Sequence, residues 1–147
     1  MRLFSCTCAA LILISSPAPA RPAPPEAVAA ADSFHAALSR GDQQAAEALL
    51  ADDALIFEEG GAERSKAEYV AKHLPADAAF SQAVASKVAR RASGSDGTLA
   101  WVATEGRATG TYKGKPVDRV TTESMLLCRE GPNWRIVHIH WSSAAAR

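Results

Sequence analysis

Cysteine is nearly missing from this sequence: there are three in 147 residues, and Cys6 and Cys8 fall within the first twenty. A disulfide framework is therefore excluded as the source of stability. No apolar run reaches the roughly 20 residues that a bilayer-crossing helix needs; the longest, Leu3 to about Ile14, lies at the N-terminus. Charge of one sign is not in excess either, with 16 Lys and Arg against 16 Asp and Glu. That balance argues against a nucleic acid or an anionic membrane surface as partner. The chain has no Gly-rich phosphate loop, no nucleophile elbow and no paired-Cys metal motif, and no internal repeat.

What is there begins with an export signal. Arg2 precedes the apolar stretch, and Ala18-Pro19-Ala20 is the small-x-small pattern a signal peptidase accepts, so residues 1–20 read as a signal peptide of a soluble secreted or periplasmic product. A lipoprotein would need its acylated cysteine after the apolar run, whereas Cys6 and Cys8 stand at the start of it. Cleavage after Ala20 leaves 127 residues, with 15 basic and 16 acidic side chains and Cys128 as the only thiol. A single domain of that length buries roughly two-thirds of its unfolded surface, enough to fold without metal or crosslinks.

Residues 21–25 are a Pro/Ala-rich stretch that favours an extended tether. Ala27, Ala31, Phe34 and Leu38 then recur at helical spacing up to Gly41. Asp42 caps a second helix, DQQAAEALL. A short apolar run, Ala54 to Phe57, suits a buried strand. Ser65 and Glu68 have capping-box spacing for a third helix that stops before Pro75. From Phe80 the period becomes two, with turns at 93–97, 113–116 and 130–133, which predicts four long antiparallel strands. The fold class is therefore α+β, three N-terminal helices covering one face of a curved antiparallel sheet over residues 26–143, with a tail at 144–147.

Four-residue turns at 113–116 and 130–133 would set residue 112 against 117 and 129 against 134. That register places Glu123 opposite His140 and Met125 opposite His138. One face then carries Val102, Arg119, Glu123, Met125, Trp134, Ile136, His138 and His140, and the other Trp101, Val120, Leu126, Val137, Ile139 and Trp141. Both hold large apolar side chains, so one should meet the helices and the other a second subunit.

The order helix, helix, ADDA with a short strand, helix, then a sheet ending in WRIVHIHWS resembles the nuclear transport factor 2-like superfamily, including its SnoaL-like and ketosteroid isomerase-like members. The closing strand, through Trp134, Ile136, Val137, His138, His140 and Ser142, is similar to that of the association domain of calcium/calmodulin-dependent protein kinase. The resemblance implies a cone-shaped α+β barrel with a pocket between helices and sheet, and dimers or larger rings built through the sheet. It also places Glu58 where the isomerases keep a proton-shuttling carboxylate. Phe34 falls where they keep an oxyanion-stabilising tyrosine, and a phenyl ring cannot donate a hydrogen bond. Glu123 is the nearest counterpart of their second oxyanion donor. These departures argue against steroid isomerisation.

Two chemistries remain for the polar residues. His138, His140 and Glu123 could ligate Zn²⁺, or the histidines could line a polar pocket with Glu123 holding one of them. The second is the reading taken, with no metal and no cofactor. Glu58, His138 and His140 are then the candidate catalytic groups, and His35, Phe34, Tyr69, Arg119, Glu123, Met125 and Trp134 the candidate pocket lining. Glu58 would serve as a base if burial raised its pKa, and Arg119 or Tyr69 could anchor a carboxylate. Cys128 reads as a packing residue. Two functions stay open: a pocket protein for a small, partly apolar molecule, and an oligomerisation module using Val137, Ile139 and Trp141 as interface. A homodimer is expected in either case.

Overall fold

The computed structural model describes residues 21–147, so the expected signal peptide lies outside the described residues. Helix α1, Pro25–Arg40, opens with proline in its first turn and ends at Gly41, whose φ of 71° gives the left-handed stop. Helix α2, Gln43–Ala48, is capped by Asp42, which accepts from the Ala45 amide at 3.0 Å. Helix α3, Lys66–Lys72, starts at Ser65, which accepts from the Glu68 amide at 3.1 Å. Glu68 reaches back one residue further than a capping box requires, to the Arg64 amide at 2.8 Å.

Pro75 does not end the helical region. It sits in the first turn of a fourth helix, α4, Leu74–Ala83, where a missing amide hydrogen costs nothing. The structure thus has four helices among its described residues where three were expected, and the run of four long strands begins at Val84 rather than Phe80.

Strands β1 (Leu50–Glu58), β2 (Gly61–Glu63), β3 (Val84–Ser95), β4 (Leu99–Tyr112), β5 (Lys115–Glu130) and β6 (Asn133–Ala145) form one curved sheet in the order β2-β1-β6-β5-β4-β3. β1 runs parallel to β6, so the sheet is mixed rather than wholly antiparallel, and it does not close into a barrel. β6 continues through Ala145, which takes two residues of the expected tail into the sheet. Arg21 exchanges two backbone hydrogen bonds with Ser95, tying the first residue of the Pro/Ala stretch to the end of β3. The core lies between the helices and the inner face of the sheet. Its fully buried members include Phe34, Tyr69, Leu74, Met125, Leu127, Ile136 and Ile139.

Two features of the register correct the expected pairings. The β4–β5 turn has two residues, Lys113 and Gly114, both at positive φ, and sets Tyr112 against Lys115. That differs from the expected pairing by two residues and so keeps every side chain on its face. Between β5 and β6 the change is larger in effect. Arg129 pairs with Trp134 and Leu127 with Ile136, as expected, but Leu126 then pairs with His138, because Val137 is an extra residue in β6. Beyond this bulge the alternation flips. Ile139 and Trp141 turn inward, His138 and His140 turn outward, and Glu123 faces Trp141 instead of His140.

Candidate functional site

The bulge decides which groups meet. On the inner face Glu58 of β1, Trp141 of β6 and Glu123 of β5 stand side by side on adjacent strands. Thr104 of β4 and Arg91 of β3 continue the row. The Trp141 indole N–H donates to Glu123 Oε2 at 2.5 Å. The His35 Nε2 of α1 lies 2.8 Å from the same oxygen, with the Glu123 side chain 9% and the His35 side chain 41% exposed. Phe34, next to His35, stacks on Trp141 with ring centres 6.3 Å apart, and Tyr69 tilts against it at 6.4 Å. One helical turn before His35, Asp32 accepts from Arg91 at 2.7 Å.

A second polar group gathers around Glu58 from α3, α4 and β2. The Tyr69 hydroxyl, buried, donates to Asp77 Oδ2 at 2.8 Å. His73 Nδ1 pairs with Glu63, a carboxylate buried at the end of β2. Glu58 is exposed at the end of β1. The protein around its carboxyl still removes enough water to raise its pKa from an ordinary 4.5 to about 7, and the negative charges of Asp77, Glu59 and Glu63 add to that rise against the opposing effect of His73. Burial likewise raises Asp77, against the lowering effect of the Tyr69 hydrogen bond. Burial and the adjacent Asp77 push the Tyr69 phenol above its usual range.

The expected site residues therefore divide. Glu58, His35, Phe34, Tyr69 and Glu123 converge around Trp141. Arg119 lies at the open end of the same face, where its Nε donates to Ser143 Oγ at 2.8 Å and its guanidinium approaches Glu59 at 3.9 Å. Met125 and Trp134 are core residues, fully and almost fully buried. His138 and His140 do not reach this site. Their rings stand on the outer face beside Phe57, at 5.2 and 6.2 Å, and His138 Nδ1 donates to the Leu55 carbonyl at 2.8 Å. With Glu123 on the inner face, the three residues weighed as zinc donors are separated by the sheet itself. Among the described residues no group of three or more His, Cys, Asp or Glu is placed to hold a metal ion.

Two open depressions lie elsewhere. One, of about 310 Å³, opens on the outer face between Arg90, Ala92, Glu105, Thr122 and Ser124, with Thr104 and Glu123 also in its lining. The other, of about 320 Å³, is between α1 and the β5–β6 turn, beside Ser33, Leu49 and Trp134. Both are shallow and neither touches Glu58. The chemistry at the rim, rather than the size of a hollow, marks the site. Asp77, Glu63 and His73 were not among the expected residues; Asp77 lies on the fourth helix, in the stretch between the expected third helix and the strand expected from Phe80.

A curved mixed sheet with helices packed on one face is the architecture of the nuclear transport factor 2-like superfamily. Within it the chain belongs to the SnoaL-like family, whose domain model matches residues 28–146. A candidate ketosteroid isomerase from Shewanella frigidimarina NCIMB 400 is 33% identical, with a TM-score of 0.77 over 80% of this chain and 94% of that one. Two more distant structures share the fold. A candidate calcium/calmodulin-dependent protein kinase II association domain from Xanthomonas campestris is 21% identical, with a TM-score of 0.68 over 80% and 85% of the two chains. A candidate dehydratase of the NTF2-like family from Streptomyces avermitilis is 15% identical, with a TM-score of 0.71 over 82% and 96%. No curated protein matches the sequence.

Proposed function

We propose that this chain is an exported SnoaL-like protein that binds a small, partly apolar molecule at the rim of the cone and moves a proton on it with Glu58. The observation that carries the reading is the pairing of Glu58 with Trp141 across β1 and β6, an exposed carboxyl beside a partly buried indole, with desolvation and the charges of Asp77, Glu59 and Glu63 raising that carboxyl to about 7. A base poised near neutrality and an apolar surface for the substrate are the two parts that proton abstraction from carbon requires. Export is proposed from the leader at residues 1–20. Steroid isomerisation is not proposed, because Phe34 offers no hydroxyl and the Tyr69 hydroxyl is committed to Asp77.

The test uses 5-nitrobenzisoxazole, an apolar bicycle that opens when a base removes its single acidic C–H. Wild type is expected to open it at a rate that climbs with pH through about 7. Glu58→Gln is expected to lower kcat/KM by about 10²- to 10⁴-fold, the usual contribution of a positioned base. A rate that is the same in Glu58→Gln would refute the proposal.

A second reading concerns assembly and is compatible with the first. The outer face exposes Leu99, Trp101 and Val120, at 37%, 37% and 48%, and Leu126 and Phe57 continue that surface. The Trp101 indole lies flat over Gly94 of β3, where any side chain would collide with it. An apolar surface with a rigid aromatic at its middle suits a second copy of the chain. The expected interface thus moves from Ile139 and Trp141, which face inward, to Trp101, Leu126 and Phe57. Trp101→Ala should raise the dimer Kd by roughly 30-fold or more, the equivalent of an aromatic anchor contributing about 2 kcal/mol. Light scattering reads the result, and a monomeric wild type at high concentration ends the idea.

A further inference from the structure

Glu58 alone does not complete a proton transfer. When a base takes a proton from carbon, the electron pair it leaves behind collects on another atom of the substrate, and that atom needs a donor. Most polar groups of the rim already spend their donors inside the protein. The Tyr69 hydroxyl goes to Asp77 and the Trp141 N–H to Glu123, while Arg119, whose Nε and Nη2 donate to Ser143, stands at the open end of the face, away from the Glu123 carboxylate. His35 differs. It turns Nε2 to Glu123 at 2.8 Å, and the side chain is 41% exposed, which leaves Nδ1 to face an incoming molecule. Glu123, 9% exposed and holding two donors on one oxygen, fixes the orientation of the imidazole.

Distance supports a division of labour. Glu58 and Glu123 flank Trp141 on adjacent strands. Strands lie about 4.8 Å apart, so the Cα atoms of the two carboxylates are roughly 10 Å from each other with the indole between them. That span fits one small bicyclic or branched molecule. His73 also keeps one ring nitrogen off its carboxylate partner Glu63, but it sits among the groups that act on Glu58 and so belongs to the base's end of the span.

We infer that His35 is the general acid of this site, with Glu123 as its positioning residue, and that the substrates are small, neutral, flat molecules. Such a molecule has an acidic C–H at one end and an oxygen that gains negative charge at the other. The inference rests on the reading of Glu58 as base. In the step, Glu58 takes the proton from carbon and the C–H electron pair forms a new π bond. The bond to oxygen gives up its pair, and the oxygen takes the Nδ1 proton of imidazolium His35. Glu58 ends protonated and His35 neutral, and exchange of one proton between them through solvent restores both. No oxidant or reductant is involved.

Two benzisoxazoles separate this from the base reading. In the 5-nitro compound the departing phenoxide is already stable, whereas in unsubstituted benzisoxazole it needs a proton. His35→Gln keeps an N–H for Glu123 but cannot transfer a proton. It is expected to lose on the order of 10²-fold more activity on the unsubstituted compound than on the nitro compound, the usual scale of an acid's contribution. Glu123→Gln should show the same pattern, weaker. Equal losses on both compounds in His35→Gln, with Glu58-dependent turnover intact, would overturn the acid role alone. A leaving-group dependence that moves to His73→Gln would reassign it to His73. If Glu58→Gln turns over both compounds like wild type, the base reading fails and this inference fails with it.

Discussion

Trp141→Ala is expected to destabilise the monomer by about 3 kcal/mol and to leave the subunit count unchanged. Truncating a fully buried tryptophan to alanine typically costs 3–5 kcal/mol, and Trp141 is only half-buried, which sets the estimate at the low end. The lost contacts are specific: the stacked face of Phe34, the edge of Tyr69, and the N–H that serves Glu123. Removing that N–H leaves a nearly buried carboxylate with one donor fewer, which adds to the cost. Urea unfolding measures the loss and light scattering the subunit count. A variant of wild-type stability that dissociates would restore Trp141 to the outer face and refute the bulge at Val137. Trp101→Ala should behave in the opposite way, weakening assembly with little change in monomer stability.

That contrast marks where sequence was sufficient and where it was not. Local signals placed α1, α2 and α3, since Gly41, Asp42 and Ser65 act on their own backbone neighbours. The strand faces of β4 and β5 survived an error of two residues in the turn because side chains alternate with period two. β6 did not survive an error of one. Its large apolar residues stand at 134, 136, 139 and 141, and no regular strand can put all four on one face. Only an extra residue at 137 reconciles them, and the break in alternation at Ile136-Val137 was the visible sign of it. The histidines misled because WRIVHIHWS, read as an unbroken strand, sends them to the side of Glu123. α4 was lost for a related reason: proline ends a helix but also begins one, and only the packing of α4 against α1 and β4 tells the two apart. Tyr69 and Asp77, eight residues apart across two helices, could meet only once both helices were in place.

Glu58→Gln is expected to act in two directions, abolishing most turnover while making the fold more stable above neutral pH. The sign follows from proton counting. Glu58 titrates near 7 in the folded chain and near an ordinary 4.5 when unfolded. Between those values the folded state holds more protons than the unfolded one, so stability falls as pH rises through that window. At about 1.4 kcal/mol per unit the ceiling is about 3 kcal/mol. Solvent contact at the rim screens this to on the order of 1 kcal/mol. Glutamine stays neutral and also relieves the repulsion with Asp77, Glu59 and Glu63. Denaturation midpoints of wild type should therefore decline from pH 5 to pH 8 along a slope that flattens in Glu58→Gln, the two curves meeting on the acid side. Parallel curves would place the Glu58 carboxyl at its ordinary value and remove the base from the site. The expected outcome gives the arrangement its physical sense: a carboxylate placed among other carboxylates costs the fold stability at the pH where it gains the power to take a proton.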